Sequence, residues 1–260
     1  MLPVALTIAG SDPSGGAGIQ ADLKTFHQFG VYGTAVITLL TVQNTRRVSR
    51  VEVLEATLVG EQLEAVLEDI PPAAAKTGAL GSRAIVEAVA ARAARFPFPL
   101  VVDPVMVSKH GAPLVDEEAV EAFRTRLAPL AALIAPNCQE AALLSGRKVT
   151  NLDEAHDAAE AIAKLGPKAV LIKGGHLAGW ATDVLYIDGS WHTYPAARVA
   201  TPHTHGTGCT FSAAITACLA KGMEIPQAAA AAKQFITEAI RTNPGLGQGQ
   251  GPVNHFAPAK

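Results

Sequence analysis

Residues 4–22 read VALTIAGSDPSGGAGIQAD. An apolar run, Val4–Ala9, stops at Gly10. Small and polar residues follow, and an amphipathic pattern starts near Ala17. The order is strand, glycine-rich turn, helix. The run is continuous rather than alternating, as expected of a strand covered by helices on both faces. The same rhythm continues outward. Apolar runs at Ala35–Val42, Ala74–Leu80, Leu100–Asp103, Ala132–Ala135 and Ala169–Lys173 predict further strands. Helical patterns at Ala17–Phe29, Leu58–Asp69, Ser82–Arg95, Glu117–Leu127, Gln139–Leu144 and Glu154–Leu165 lie between them. Repeated βαβ units imply an α/β fold with a mostly parallel central sheet. Asp183–Ile187 and Trp191–Tyr194, joined through Asp188-Gly189, read as a hairpin. Helices at Gly208–Lys221 and Pro226–Arg241 and a glycine-rich loop, Pro244–Gly251, complete the chain. With no linker or repeat, residues 1–260 are expected to form a single domain.

Composition narrows the function. Of 260 residues, 49% are hydrophobic and 17% charged, which supports a packed core. Lys and Arg number 21 against 23 Asp and Glu, a net charge of −2. No basic stripe suggests nucleic acid as a partner. No apolar run is long enough to span a bilayer, so no membrane partner is expected. The start, MLPVALTIAG, lacks a basic segment before its apolar stretch and reads as a buried strand rather than a secretory signal. Cys138, Cys209 and Cys218 form no CxxC pair, so a reducing cytoplasm is the expected compartment.

Ligands of open α/β sheets bind beyond the carboxyl ends of the strands. After the first strand, small residues from Gly10 to Gly18 allow close backbone approach to a ligand. Gly16-Ala17-Gly18-Ile19-Gln20-Ala21 fits a dinucleotide fingerprint, but the second strand ends Thr41-Val42-Gln43-Asn44 without the ribose-binding acid. The chain also has no Gly-Lys-Ser/Thr of a P-loop. Asp22 lies one turn beyond Gly18, where a carboxylate also suits the helix dipole. Gln43 carries an amide suited to the edge of an aminopyrimidine or a similar heterocycle.

Near the other end, Thr204-His205-Gly206-Thr207-Gly208-Cys209-Thr210 opens a helix. The N–H groups from Gly206 to Cys209 would form an anion hole for a moving phosphoryl group. The helix dipole is expected to lower the Cys209 thiol pKa. A zinc site on His203, His205 and Cys209 would want a fourth ligand that is not evident. Asp103 ends one strand, and Asn137 and Glu140 follow the next. Asn137 and Glu140 also have the spacing of a capping box. Together with Asp103 they offer oxygen ligands suited to Mg²⁺. Lys173, followed by Gly174 and Gly175, offers a point charge for phosphates. The polar stretch Val105–Pro113, with His110, is a candidate lid.

The stretches TIAGSDPSGGAGIQADLKTF, VQNT, DPVM, PN with Glu140, IKGGH and HGTGCTFSAA together resemble the ribokinase superfamily. Within it they resemble the hydroxymethylpyrimidine/phosphomethylpyrimidine kinases of thiamine biosynthesis. They run in family order from residue 7 to about 214. The resemblance implies a ribokinase-like three-layer α/β/α sandwich. It implies ATP-dependent phosphorylation of 4-amino-5-hydroxymethyl-2-methylpyrimidine, then of its monophosphate. It implies ATP and Mg²⁺ as cofactors and a homodimer. Gln43 and Gly10, with Asp22 nearby, would meet the pyrimidine, and Gly206, Thr207, Gly208 and Cys209 would form the anion hole. Lys173 and Gly175 would meet ATP, and Asp103, Glu140 and Asn137 the metal. Most ribokinase-like kinases have Asp where this chain has Cys209. A pyridoxal kinase is the alternative within enzymes. A pyrimidine sensor that has lost turnover is the alternative outside them.

Overall fold

The computed structural model describes residues 2–106 and 116–259. The proposed lid and His110 lie largely outside those residues. Nine strands form one sheet: β1 (Val4–Ser11), β2 (Tyr32–Gln43), β3 (Val48–Val53), β4 (Ala74–Thr77), β5 (Leu100–Val102), β6 (Leu133–Ile134), β7 (Ala169–Ile172), β8 (Asp183–Ile187) and β9 (Ser190–Tyr194). Their spatial order is β3-β2-β1-β4-β5-β6-β7-β8-β9. The six central strands, β2 through β7 in that order, pair in parallel. Both edges are antiparallel, β3 on one side and the β8–β9 hairpin on the other. The hairpin turns through Asp188 (φ 49°) and Gly189 (φ 74°), the doubly left-handed geometry expected of an Asp-Gly pair.

Among the described residues eight α-helices cover the sheet: α1 (Gly18–Gln28), α2 (Ala56–Asp69), α3 (Arg83–Ala93), α4 (Glu117–Ala122), α5 (Cys138–Ser145), α6 (Leu152–Ala163), α7 (Thr207–Ala220) and α8 (Ile225–Arg241). Alternate residues of β1, β4, β5, β6, β7 and β8 enter opposite cores. Leu6, Ile8, Val102 and Ile134 pack with Leu63, Val86, Phe123 and Leu144 on one face. Ala5, Val101, Leu133 and Leu171 pack with Phe26, Phe211, Ile215 and Phe235 on the other. This is a three-layer α/β/α sandwich, and its two-sided burial explains why the strands read as unbroken apolar runs.

Three expectations change in detail. The strand β3 carries Ser49, Arg50 and Glu52 on an exposed edge, so no apolar run marked it. The helix expected at Glu117–Leu127 is α-helical to Ala122 and continues as a π turn, Phe123–Leu127. The run Ala74–Leu80 is strand only to Thr77. The parallel strands all end on one side of the sheet. Ser11, Gln43, Gly78, Asp103, Asn137 and Lys173, at or just beyond those ends, line a common cleft.

Candidate active site

The cleft has a volume of about 760 Å³. Its first wall is the turn between β1 and α1. Asp12 organises this turn. One carboxylate oxygen accepts from the Ser14 N–H (2.9 Å) and hydroxyl (2.7 Å). The other accepts from the N–H groups of Gly16 (3.2 Å) and Ala17 (2.9 Å). That second oxygen also lies 2.7 Å from His205 Nε2. Asp12 is buried, which penalises its charge, yet His205 and Ser14 outweigh that and hold its carboxyl below the usual range. Space is tight at two glycines here, against a side chain at Gly10 and against backbone at Gly18. A methyl group on Gly10 would meet Leu39 at 2.5 Å, and one on Gly18 (φ 57°) would meet the Gly10 carbonyl at 2.2 Å. Gly10 and Gln43 both face the cleft, as expected.

Asp22 does not. It is fully buried, accepts from Lys76 Nζ at 2.8 Å and from Thr7 Oγ1 at 2.6 Å, and lies beneath the cleft floor. The expectation that it meets the substrate is therefore corrected. Lys76 is the partner that sequence reading missed. Burial alone would lower its pKa, but Asp22 and its neighbours raise it, so the ammonium is retained. The available signal was a lysine inside a strand buried at every position, Ala74–Thr77, because a buried charge needs a partner.

The second glycine-rich turn enters α7. Gly206 (φ 77°) is its N-cap, and no side chain caps the helix. A methyl group there would lie 1.7 Å from the Gly16 carbonyl oxygen, so the two turns touch backbone to backbone. Thr207 N–H turns back to the Thr204 carbonyl at 3.3 Å, so it is withdrawn from the expected hole. The N–H groups of Gly208 and Cys209 have no acceptor among the described residues. They lie at the positive end of a helix of 14 residues. A methyl group on Gly208 would meet Lys173 Nζ at 3.3 Å, which places that ammonium beside the turn.

Cys209 behaves against expectation. Its thiol is partly exposed to the cleft, but burial pushes its pKa up to about 12. Lys76 and the Gly18 N–H pull it down, and the Asp22 and Asp103 carboxylates push it further up. Desolvation and two acids outweigh Lys76 and the Gly18 N–H, so the resting group is a neutral thiol.

On the third wall, Lys173 Nζ donates to Asp103 Oδ1 at 2.7 Å, and Ser212 Oγ donates to Asp103 Oδ2 at 2.9 Å. Glu140 is buried close to both. Burial, then Asp103, raises its pKa to about 7 against the pull of Lys173. Asn137 forms the capping box with Glu140. Its side-chain oxygen accepts from the N–H groups of Gln139 (2.9 Å) and Glu140 (3.0 Å), and Glu140 Oε2 accepts from the Asn137 N–H (2.8 Å). Asn137 therefore has a structural role, and its expected place as a metal ligand is corrected. Among the described residues no three His, Cys, Asp or Glu side chains converge as a metal site. This also answers the zinc reading, since His205 is paired with Asp12 and His203 Nδ1 accepts from the Gly251 N–H. Two hard oxygen donors do remain, Asp103 and Glu140. Two carboxylates served by the one Lys173 ammonium fit a divalent ion that keeps its waters and binds phosphates.

The far wall comprises Gly175, His176, residues 196–201 and the inner face of α8. The expected Gly175 lines it, but the tightly required glycine is its neighbour. A methyl group on Gly174 would lie 1.8 Å from the Thr182 carbonyl oxygen. Asp183 accepts from the Gly174 N–H at 2.8 Å and from Lys233 Nζ at 2.8 Å. Neither Asp183 nor Lys233 was singled out from sequence. The lysine lies among the buried residues Ala232, Phe235 and Ile236 of α8, which was the available signal.

Comparisons with known proteins give the family and the fold. The family model described as phosphomethylpyrimidine kinase matches residues 12–254. The hydroxymethylpyrimidine/phosphomethylpyrimidine kinase of Synechococcus elongatus is 49% identical over 259 residues, covering 99% of this chain and 98% of its own. A solved phosphomethylpyrimidine kinase from Clostridium difficile superposes with a TM-score of 0.81 at 47% identity, over 92% of this chain and 99% of that one. The pyridoxal kinase of Staphylococcus aureus, solved with AMP-PCP and pyridoxal, superposes with a TM-score of 0.92 at 35% identity. That match covers 99% of this chain and 94% of the other.

Proposed function

The chain belongs to the phosphomethylpyrimidine kinase family, and on that premise we propose how its cleft works. The protein is an ATP-dependent kinase of thiamine biosynthesis. It phosphorylates 4-amino-5-hydroxymethyl-2-methylpyrimidine and then the resulting monophosphate. The observation that carries the assignment of roles is the meeting of three features in one cleft. These are the open N-terminus of α7, the Lys173 ammonium beside Gly208, and the Asp103–Glu140 acid pair.

The pyrimidine lies against the β1–α1 turn, with Gln43 at its polar edge and Gly10 beneath it. ATP enters along the wall that contains Gly175, with its phosphates directed toward Lys173. The Gly208 and Cys209 N–H groups, with Gly206 shaping the turn, receive the phosphoryl oxygens as charge moves onto them. Lys173 exchanges part of its bond to Asp103 for the phosphates. Mg²⁺, held by Asp103 and Glu140, would neutralise charge between the phosphates. Phosphoryl transfer depends chiefly on positioning and charge, and its loose transition state demands little of a base before the new bond forms. A Cys209 thiol with a pKa of about 12 suits that order. It forms part of the wall of the hole rather than a standing base.

The chain acts as one kinase domain in a reducing cytoplasm. It pairs as a homodimer through the β2–β3 edge, where Leu40, Val42 and Val53 are exposed. Sedimentation velocity of wild type and Val42→Asp tests the dimer. No described helix is long and apolar enough to cross a membrane. The pyridoxal-bound neighbour makes pyridoxal the natural second substrate to test. A mass-resolved assay with Mg-ATP, offering the hydroxymethylpyrimidine and pyridoxal in parallel, decides between them. Sequential gain of one and then two phosphates on the pyrimidine is the expected result. Phosphate on pyridoxal alone would overturn it.

A further inference from the structure

This inference rests on the kinase reading above and concerns how the cleft recognises one face of a heterocycle. Four residues form a chain of contacts on the substrate side: Asp12, His205, Gln43 and Thr41. His205 Nε2 lies 2.7 Å from Asp12 Oδ2 and 3.2 Å from the atom placed as the Gln43 amide nitrogen, Nε2. The atom placed as the amide oxygen, Oε1, lies 3.2 Å from Thr41 Oγ1, and Thr41 Oγ1 also lies 3.0 Å from the Ser11 carbonyl, which can only accept. His205 and Asp12 are both buried.

Counting protons fixes the orientation of the amide. Asp12 acts as an acceptor, already taking N–H groups from Ser14, Gly16 and Ala17. The proton shared with His205 therefore sits on Nε2. A ring nitrogen that carries a proton has no lone pair in the plane. Its one N–H is directed at Asp12 and reaches Gln43 only as the longer arm of a shared bond; an amide nitrogen there would face it donor to donor, whereas the amide oxygen can accept. Thr41 gives a second, independent count. Its hydroxyl has one proton and directs it at Ser11, so toward Gln43 it can only accept. The amide nitrogen must therefore face Thr41. Both counts demand the amide turned over from that placement, exchanging its oxygen and nitrogen, and side-chain amide orientation is assigned from such networks.

We infer that His205, held by Asp12, is a positioning residue that locks the Gln43 amide with its oxygen toward the imidazole and its nitrogen toward Thr41. In that sense the amide keeps one lone pair and one N–H for a ligand, in a fixed order. The order fits a heterocycle edge that presents an amino donor beside a ring-nitrogen acceptor. It opposes an edge presenting a carbonyl beside a ring N–H. The lock thus selects the 4-amino substrate over its 4-oxo counterpart, with the hydroxymethyl group fixing which way round each must bind.

The first test uses the wild-type protein. The ¹⁵N shift of His205 Nε2, identified by its absence in His205→Leu, is expected to be that of a protonated ring nitrogen. An unprotonated Nε2 would overturn the lock. The second test is kinetic, with the 4-amino substrate and its 4-oxo counterpart as probes. His205→Leu is expected to raise KM for the 4-amino compound about tenfold and to lower the preference between the two by a similar factor. A general disturbance of the cleft would instead lower turnover of both compounds alike, and that result would also overturn the lock. Wild-type turnover of neither pyrimidine would defeat the kinase reading itself, while the ring-nitrogen shift would still decide for or against the lock.

Discussion

The two glycine-rich turns of the cleft, 10–18 and 204–208, present helix N-termini from opposite sides, yet they are held in opposite ways. The first is organised by a side chain. Asp12 gathers the N–H groups of Ser14, Gly16 and Ala17, so the donors that would otherwise meet a ligand are already occupied. The second has no capping side chain, and the N–H groups of Gly208 and Cys209 stay open. Its shape comes from the Gly206 backbone pressed on the Gly16 carbonyl. A turn whose donors are taken can present a surface to a neutral heterocycle. A turn whose donors are open can receive an anion. The difference separates substrate recognition from phosphoryl stabilisation within one cleft.

The largest effect should come from breaking the contact between the turns. Gly206→Ala places a Cβ 1.7 Å from the Gly16 oxygen, at a φ of 77° that alanine rarely adopts. Loss of anion-hole donors alone costs about 10²–10³ in kcat. The displaced turn is expected to lose about 10³ or more, measured as kcat with both substrates saturating. A variant within tenfold of wild type would show that the hole does not depend on this contact.

Asp12→Ala tests the other turn. It removes the acceptor of several loop donors, each worth about 1 kcal/mol or more when left unpaired. The expected outcome is a rise of about a hundredfold in pyrimidine KM, with a kcat loss no greater than about tenfold. That split is the signature of binding shared by ground and transition states. A kcat loss equal to that of Gly206→Ala would erase the division of labour between the turns.

A smaller effect concerns the support of the second turn. His255 is buried and lies 3.1 Å from Thr210 Oγ1 in the first turn of α7. Burial, then Lys24 and His205, lower its pKa from 6.5 to about 4. A depressed histidine contributes stability above its unfolded pKa, and that contribution fades as pH falls. Between pH 6.5 and 4 the unfolded chain binds a proton that the folded chain refuses, so unfolding free energy should drop by up to about 3 kcal/mol. Urea melts across that range should show a shallower decline in His255→Gln than in wild type. Equal slopes would remove His255 as the cause.

The same contrast explains what was legible in the sequence. The strands showed because helices bury both faces of the sheet, and each site residue at a strand end could be read from where an apolar run stopped. Residue pairings could not. Asp22 stands at a helix start where a carboxylate could serve the dipole or a ligand, and only the fold reveals Lys76 beneath it. Asn137 and Glu140 fitted a capping box and a metal site equally in sequence. The structure uses Asn137 for the cap and leaves Glu140 shared between cap and acid pair. β3 escaped notice because an exposed edge strand carries no continuous apolar signal.

Cys209 brings the comparison to its finest point, because it stands where the two turns meet. Lys76 and the Gly18 N–H favour its thiolate, while burial, Asp22 and Asp103 oppose it and prevail. With a pKa of about 12, the thiolate fraction at neutral pH is on the order of 10⁻⁵ and grows tenfold with each pH unit. If that thiolate were an obligatory base, kcat would rise tenfold per unit between pH 7 and 9. If the open N–H groups and Lys173 perform the stabilisation, kcat changes by no more than about twofold there, the last ionisation of Glu140 above its pKa of about 7 being the one charge change among the site groups. The expected result is the level profile, measured with saturating Mg-ATP and pyrimidine, and repeated in Cys209→Ser to separate the thiol from the turn that holds it. A rise with unit slope in wild type that vanishes in Cys209→Ser would return the base to the sulfur and reduce the turn to its support.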